Sequence, residues 1–270
     1  MNSNLKILNV GLFGAILTLG WNITADFIPK ITTYECHRST EAIAIDGRLD
    51  DVAWKNAVGV TALYEIRRPE DGGAKEYPDK VNIKLLYDNE NLYIGAVIHD
   101  RDIVADPESP TRPNRESLFL SGDTFEIFIQ PKSSEPVYYE YHINPFNAWW
   151  NIRYPARQGY MPWGAVKCFS TAKHAVAVDG TVNRLDDDRS WSVEIAIPLR
   201  EITGSNELPV EVSPGTKWRI SMCIYDYQFY FDDCDNSNAL KYFSTSFLER
   251  IDFHERKHYN FLEFKELPKQ

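Results

Sequence analysis

The sequence predicts an all-β protein folded as one antiparallel β-sandwich. Several segments alternate apolar and polar residues, polar or proline-rich stretches separate them, and long helical patterns are absent. Of the 270 residues, 43% are apolar and 13% are aromatic, which is enough to bury one large core.

A period-two pattern recurs along the chain and predicts strands with one buried face and one face toward solvent. It covers residues 81–87, 92–98, 125–129, 139–143 and 191–197. The side chains predicted to fill the core are Val81, Ile83, Leu85, Tyr87, Leu92, Ile94, Ala96, Ile98, Phe125, Ile127, Ile129, Tyr139, Tyr141, Ile143, Trp191, Val193, Ile195 and Ile197.

Two short connections complete the predicted architecture. The polar run at 88–91 joins two of the strands and predicts a hairpin turn. The clearest helical candidate is short and lies at 50–57, with Asp50 placed to cap its N-terminus.

The alternate faces of two predicted strands have an unusual composition. They hold Thr124, Glu126 and Phe128 on one strand, and Tyr138, Glu140, His142 and Asn144 on the next. Aromatic rings stack on the C–H faces of sugars, while carboxylates and amides bind hydroxyls, so this surface suits a carbohydrate. The alternative is the ordinary polar outside that any sandwich presents to solvent.

Two tryptophans extend this hypothesis. Trp149 and Trp150 are consecutive on a predicted strand, so they point to opposite faces. One is expected in the core, and the other is a candidate for stacking on a ligand. Trp163, in a loop with proline and glycine, is a further candidate, and the alternative for each is a structural role.

Charge and the N-terminal segment restrict the partners and the location. The net charge of −10 argues against nucleic acid or an anionic membrane, and suits neutral ligands, divalent cations or plain solubility. Residues 1–25 have the short basic start and short apolar run of a signal peptide, which predicts a secreted, periplasmic or extracellular protein. The run is too short to span a membrane, although a buried or anchoring helix is the alternative.

The chain after the predicted signal peptide divides into three parts. We expect a lead-in at 26–40, the sandwich at 41–265 and a tail at 266–270. Export would place the cysteines in an oxidising compartment, where Cys36, Cys168, Cys223 and Cys234 allow three disulfide pairings. Free buried thiols are the alternative.

The letters HERKH at 254–258 match the H-E-x-x-H pattern of zinc proteases. That chemistry needs both histidines on a helix, whereas Phe253 and the aromatic residues after His258 predict a turn and a last strand. Two cations stand between the histidines and would disfavour a metal ion. We therefore expect no zinc here.

Other catalytic patterns are also missing from the sequence. It has no nucleophile elbow, P-loop or dinucleotide-binding glycine pattern, and nothing points to a glycosidase carboxylate pair.

Asp100 and Asp102 follow a strand end, where a hard cation could tie loops together.

The order of several segments resembles family 9 carbohydrate-binding modules, in the family 9-like branch of the DOMON-type sandwiches. The segments are IDGRLDDVAW, LLYDNENLYIGAVIHD, GDTFEIFIQP, YYEYHINPFN, WSVEIAIPL, PGTKWRI and DFHERKHYNFLEF. The resemblance spans roughly residues 41–265. It implies a sandwich of jelly-roll or immunoglobulin-like form that binds an oligo- or polysaccharide without catalysis, in connection with polysaccharide breakdown.

The resemblance also implies site residues. Glu126 matches a hydroxyl-binding glutamate, and His142 takes the place of a sugar-binding arginine. The two tryptophans that sandwich the sugar in the family fall near Phe119 and near Phe253 and His254, so both ring positions depart from the pattern. Aromatic substitutes would be Trp149, Trp150 or Tyr227. The family's structural calcium would lie near Asp100 and Asp123.

Two alternatives stay open beside non-catalytic binding. One is a glycoside hydrolase or another enzyme with a sandwich fold. The other is a degenerate module that serves as a structural or adhesion domain, which the loss of the tryptophan pair favours.

Overall fold

The computed structural model describes residues 30–67, 74–77, 80–111, 122–156, 165–184, 186–227 and 240–267. The predicted signal peptide, Phe119 and Trp163 lie outside these residues.

The described residues form strands and short 3-10 turns, and none of them is in an α-helix. The strands are β1 Thr33–Arg38, β2 Gly59–Val60, β3 Tyr64–Glu65, β4 Lys75–Glu76, β5 Val81–Tyr87, β6 Asn91–His99, β7 Thr124–Gln130, β8 Tyr138–Ile143, β9 Trp149–Tyr154, β10 Val166–Lys167, β11 Lys173–Asp179, β12 Ser190–Pro198, β13 Lys217–Tyr227, β14 Leu240–Ser244 and β15 Asn260–Lys265. The 3-10 turns are Val52–Asn56, Leu199–Glu201 and Arg256–His258.

Hydrogen bonds connect the strands into one curled sheet in the order β10-β9-β8-β7-β13-β15-β1-β5-β6-β12-β11. The two halves of the sheet enclose a common core, so the predicted β-sandwich is confirmed. Most neighbours are antiparallel, as expected. The first strand differs, because β1 pairs in parallel with both β15 and β5.

The predicted strands and their inward faces are confirmed. Every side chain assigned to the core by the period-two pattern is buried and belongs to one hydrophobic cluster, which we call the inner core. Trp218, Met222, Leu262 and Phe264 from β13 and β15 also belong to it. The alternation therefore identified the face on which each of these strands packs.

The prediction that the other face of β7 and β8 meets solvent is wrong. All residues of both strands are buried, because a second hydrophobic layer covers their outer face. We call this layer the outer cluster. It consists of Tyr64, Ile66, Phe128, Tyr138, Ala148, Trp150, Ile152, Tyr154, Cys223, Leu248, Phe253 and Tyr259. Segments before β4 and before β15 supply the cover.

The predicted connections are partly confirmed. At the hairpin between β5 and β6, Oδ1 of Asp88 accepts hydrogen bonds from the amides of Glu90 and Asn91, as expected for a turn. The predicted helix at 50–57 is only a 3-10 turn at Val52–Asn56. Asp51, not Asp50, precedes it, and its carboxylate accepts from the amide of Ala44 instead of capping the turn.

A buried glutamate on β12 fastens the segment around this turn to the sheet. Oε2 of Glu194 accepts hydrogen bonds from the amides of Asp46 and Gly47 at 3.0 and 2.9 Å. Oε1 accepts one from the indole nitrogen of Trp54 at 2.7 Å. Gly47 has φ +89°, and an added Cβ would lie 2.6 Å from the backbone of Val176, so this close approach requires glycine.

The HERKH segment adopts the predicted turn and strand. His254 lies in a turn, a 3-10 turn spans Arg256–His258, and β15 follows. The two histidines therefore do not stand one turn apart on an α-helix.

The described cysteines are free thiols. Cys36 and Cys223 are buried and Cys168 is exposed, whereas Cys234 lies outside the described residues. No helix among the described residues has the length and apolar character that crossing a bilayer requires.

Candidate functional site

The outer face of β7 and β8 holds two glutamates around one histidine, a group that we call the Glu–His–Glu cluster. The ladder between the strands places Glu126 directly opposite His142, while Glu140 shares their face two residues earlier on β8. Nε2 of His142 lies 2.9 Å from Oε1 of Glu126 and 2.5 Å from Oε1 of Glu140. One imidazole nitrogen thus faces two carboxylates.

Burial and mutual charge set the protonation of this cluster. Glu126 is 2% exposed, Glu140 4% and His142 0%. Burial raises the pKa of Glu126 to about 7, against the opposing pull of the imidazole. Burial alone would lower the pKa of His142, but Glu126 and Glu140 outweigh it and raise that pKa to about 9. The imidazolium in turn holds the pKa of Glu140 below its usual value despite burial.

The cluster leaves two buried acceptors unused. Among the described residues, neither Oε2 of Glu140 nor Oε2 of Glu126 has a hydrogen-bond partner, although both side chains are almost fully buried. An unsatisfied buried acceptor costs about 1–3 kcal/mol. A donor that reached Oε2 of Glu126 would recover that free energy.

Several residues predicted from sequence meet the cluster. The Trp150 ring lies edge-on to the His142 ring, with centroids 4.9 Å apart. Nδ1 of His254 is 3.9 Å from Oε2 of Glu140 and 3.0 Å from the hydroxyl of Tyr138. Phe253 joins the outer cluster nearby. His254 is the most accessible of these side chains, with 35% of it exposed.

Other predicted residues lie elsewhere. Trp149 points into the inner core, where its ring stacks on those of Tyr141 and His174. Both tryptophans are buried, at 8% and 2% exposure, so the expectation that one of them is a solvent-facing platform is wrong. Tyr227 ends β13, where its amide donates to Asp123. Phe119 lies outside the described residues.

Glu140 and Tyr138 were expected on the carbohydrate-suited face of β8, but no individual role was predicted for either. The signal for Glu140 was available, because it stands two residues before His142 on the same strand and therefore shares its face. Tyr154, whose ring stacks 4.6 Å from that of Tyr138 beside His254, was not predicted from the sequence. The direct contacts to sugar inferred for Glu126 and His142 stay a prediction, since both side chains lie beneath the surface.

A second polar site gathers three buried aspartates, which we call the aspartate cluster. Asp100 and Asp123, both predicted, are joined by Asp226, and their oxygens lie within 4.8 Å of one another. Burial and the charge of Asp226 raise the pKa of Asp100 to about 6. Burial and the charge of Asp100 likewise raise the pKa of Asp123. The ammonium of Lys80 contacts Asp226.

The aspartate cluster suits a hard cation. Ca²⁺ prefers carboxylate oxygens at about 2.3–2.6 Å, which is compatible with oxygens spaced as these are. The ammonium of Lys80 contacts the cluster, yet burial and the mutual repulsion of the carboxylates raise the pKa values of Asp100 and Asp123. A pocket of about 430 Å³ lined by Lys80, Asp100 and Asp226 connects the cluster with the surface.

Comparisons with known proteins agree with this architecture. A family model described as carbohydrate family 9 binding domain-like matches residues 45–228. A search of curated proteins finds no match.

Solved structures provide the fold-level comparison. A proposed carbohydrate-binding protein from Bacteroides uniformis has a TM-score of 0.59 at 11% identity, over 87% of this chain and 100% of that one. A family 9 carbohydrate-binding module from Caldicellulosiruptor kristjanssonii with cellotriose has a TM-score of 0.53 at 14% identity, over 89% of this chain and 96% of that one. A family 9 module from the same organism with glucose gives 0.51 at 13% identity, over 88% and 98%.

Proposed function

Because the chain belongs to the carbohydrate family 9 binding domain-like family, we propose that it binds a carbohydrate without chemically altering it. The match covers residues 45–228, which include the Glu–His–Glu cluster and most of the sandwich. The ligand in this proposal is an oligo- or polysaccharide.

One observation supports the outer face of β7 and β8 as the site. Positions that the sequence assigned separately, Glu126, His142 and His254, form one chain of contacts through Glu140. They come from two strands and a distant turn, so only the fold brings them together.

In this proposal the histidine orients the carboxylate. His142 holds one oxygen of Glu126, which leaves Oε2 as the acceptor for a sugar hydroxyl. A sugar reaching this atom must displace the side chains that cover it, so we expect modest affinity.

The experiment is calorimetry with cellotriose and a panel of neutral oligosaccharides. Glu126→Ala should weaken binding, whereas Glu263→Ala, which removes a strand carboxylate paired with Lys265, should not. Equal affinities for the wild type and Glu126→Ala would refute the site. Absence of binding to every saccharide tested would refute the function.

The alternative of a glycoside hydrolase has one feature in its favour, a pair of close carboxylates. Both carboxylates of the Glu–His–Glu cluster, however, engage the same buried imidazole, and this arrangement leaves no space for a sugar between them. New reducing ends appearing during incubation with polysaccharide would support the enzyme.

The proposal also places the protein outside the cytoplasm and includes Ca²⁺ as a structural ion at the aspartate cluster. Export is supported by the pattern of residues 1–25, and N-terminal sequencing of the mature protein should then begin near Asp26. The cation is supported by the convergence of Asp100, Asp123 and Asp226. Asp100 and Asp123 would hold it together with Asp226, and it would tie the loops before β7 to the end of β13.

A further inference from the structure

A pocket of about 540 Å³ opens at the surface, and His254 is one of the residues that line it. Its volume is within the range of roughly 300–1,000 Å³ that is typical of small-molecule sites. The side chains that define its chemistry are Gln130, Ser133, Arg219, Arg256 and Lys257, and we call it the arginine pocket.

The two arginines have no carboxylate partner among the described residues. Nη1 of Arg219 donates to the backbone oxygen of Tyr259 at 3.2 Å, and its guanidinium lies over the Phe261 ring at 4.8 Å. Burial, without any opposing carboxylate, lowers the pKa of Arg219. The group still stays charged at neutral pH, because the ordinary pKa of an arginine lies far above neutrality.

Arg256 is held in the same way. Its Nη1 donates to the backbone oxygen of Pro136 at 2.5 Å, and its guanidinium lies over the Tyr138 ring at 4.7 Å. Carbonyl and ring contacts fix both guanidinium groups but do not neutralise them. Their remaining N–H groups are therefore pre-positioned for an external anion.

The acidic residues at the pocket are already paired with other cations. Glu135 is 3.1 Å from Lys132 and also accepts from the amide of Ser205. Glu255 pairs with Arg250 at 2.6 Å and with Lys257 at 3.4 Å. The two arginines thus form a local positive site on a chain whose net charge is −10.

We infer that the arginine pocket binds the anionic group, carboxylate or sulfate, of an acidic saccharide. Arginine matches such groups because its planar N–H fork donates two parallel hydrogen bonds. Gln130 and Ser133 at the same pocket offer donors and acceptors for hydroxyls. The inference rests on the proposed function and narrows its ligand class.

The test compares trigalacturonate, a sulfated galactose trisaccharide and cellotriose by calorimetry. We expect an acidic trisaccharide to bind more tightly than cellotriose, and to lose affinity as NaCl rises from roughly 50 to 300 mM. Arg219→Gln or Arg256→Gln should each weaken its binding about tenfold or more, without changing that of cellotriose. The two acidic ligands distinguish carboxylate from sulfate.

Arg38→Gln is the matched control. Arg38 also lies over a tyrosine ring, that of Tyr87 at 4.9 Å, but it pairs with Glu266 away from the pocket. Its loss should leave all affinities unchanged. If a glutamine variant fails to fold, Arg256→Lys keeps the charge without the fork and should still weaken binding of the acidic trisaccharide.

The outcomes separate this inference from the proposed function. Acidic ligands that bind no better than cellotriose, or that bind equally to the arginine variants, overturn the inference and leave neutral saccharide binding intact. Failure of these three ligands and of every neutral oligosaccharide in the panel overturns both.

Discussion

Nε2 of His142 lies 2.9 Å from Oε1 of Glu126, directly across the ladder between β7 and β8, and both residues are buried. The same nitrogen lies 2.5 Å from Glu140. A single imidazolium therefore contacts two carboxylates beneath the outer cluster and is the cation that both share. This arrangement makes protonation of His142 part of folding stability.

The first prediction concerns pH. The folded-state pKa of His142 is about 9, above its ordinary value. Protonation of His142 therefore stabilises the fold fully below about pH 6.5, and this stabilisation is lost as the pH rises through 9. The pKa of Glu126 is raised to about 7, so its protonation also stabilises the fold, and that stabilisation is lost as the pH rises through 7. We expect the free energy of unfolding in urea to fall between about pH 7 and 9, by at most about 1.4 kcal/mol per pH unit for each proton involved. A free energy of unfolding that stays constant or rises between pH 7 and 9 would contradict this prediction.

The second prediction concerns removal of the histidine. His142→Leu leaves two buried carboxylates without a cation and should lower the free energy of unfolding by about 3–5 kcal/mol. Adding Glu126→Gln and Glu140→Gln to the same chain should restore much of that loss. His174→Leu, at an edge strand where the ring binds Asn147, is the control and should cost much less. A triple variant no more stable than His142→Leu would contradict the charge argument.

The third prediction concerns calcium and Lys80. The ammonium contacts Asp226, so it should compete with a cation at the aspartate cluster. We expect Ca²⁺ to raise the melting temperature, more strongly in Lys80→Met than in the wild type, and not in Asp123→Asn. Binding at 100 times the dissociation constant should stabilise the fold by about 2.7 kcal/mol.

Lys84→Met provides the control for that experiment. Lys84 lies on β5 and donates to the backbone of Trp54, away from the aspartates. Its variant should respond to Ca²⁺ as the wild type does. A calcium response that is absent from every variant would remove the cation from the proposal.

The fourth prediction concerns Glu194. Glu194→Ala leaves the amides of Asp46 and Gly47 and the buried indole of Trp54 without their acceptor, so we expect the free energy of unfolding in urea to fall by about 3 kcal/mol or more. Glu90→Ala, on the exposed hairpin turn, should be nearly neutral. Equal stabilities of these two variants would show that Glu194 does not fasten the segment.

The inner half of this fold could be predicted from the sequence, because alternate apolar residues must share one face of a strand. Exposure of the opposite face could not be inferred in the same way. Glu126, Glu140 and His142 have the composition of a wet surface, yet they neutralise one another under a cover supplied by distant segments. Phe128 and Tyr138 in the same phase were the available signal that this face is also buried.

The resemblance to the family proposed Glu126, His142 and His254 separately, and their contacts to a sugar stay a prediction. The association of the two arginines at the arginine pocket could not be predicted, because it depends on tertiary contacts. Arg219 on β13 and Arg256 in the last turn have no sequence signature that links them. The fact that neither arginine forms an ion pair with a carboxylate among the described residues is visible only in three dimensions.

The parallel pairing of β1 has a consequence for the order of assembly. This strand lies between β15 and β5, in register with both, so the earliest described strand completes its hydrogen bonds only when the latest one is available. Contacts between such distant parts of a chain slow folding. A ribosome or translocation channel that still held β15 would leave one edge of β1 without hydrogen bonds, so the sheet can close only after β15 has been released.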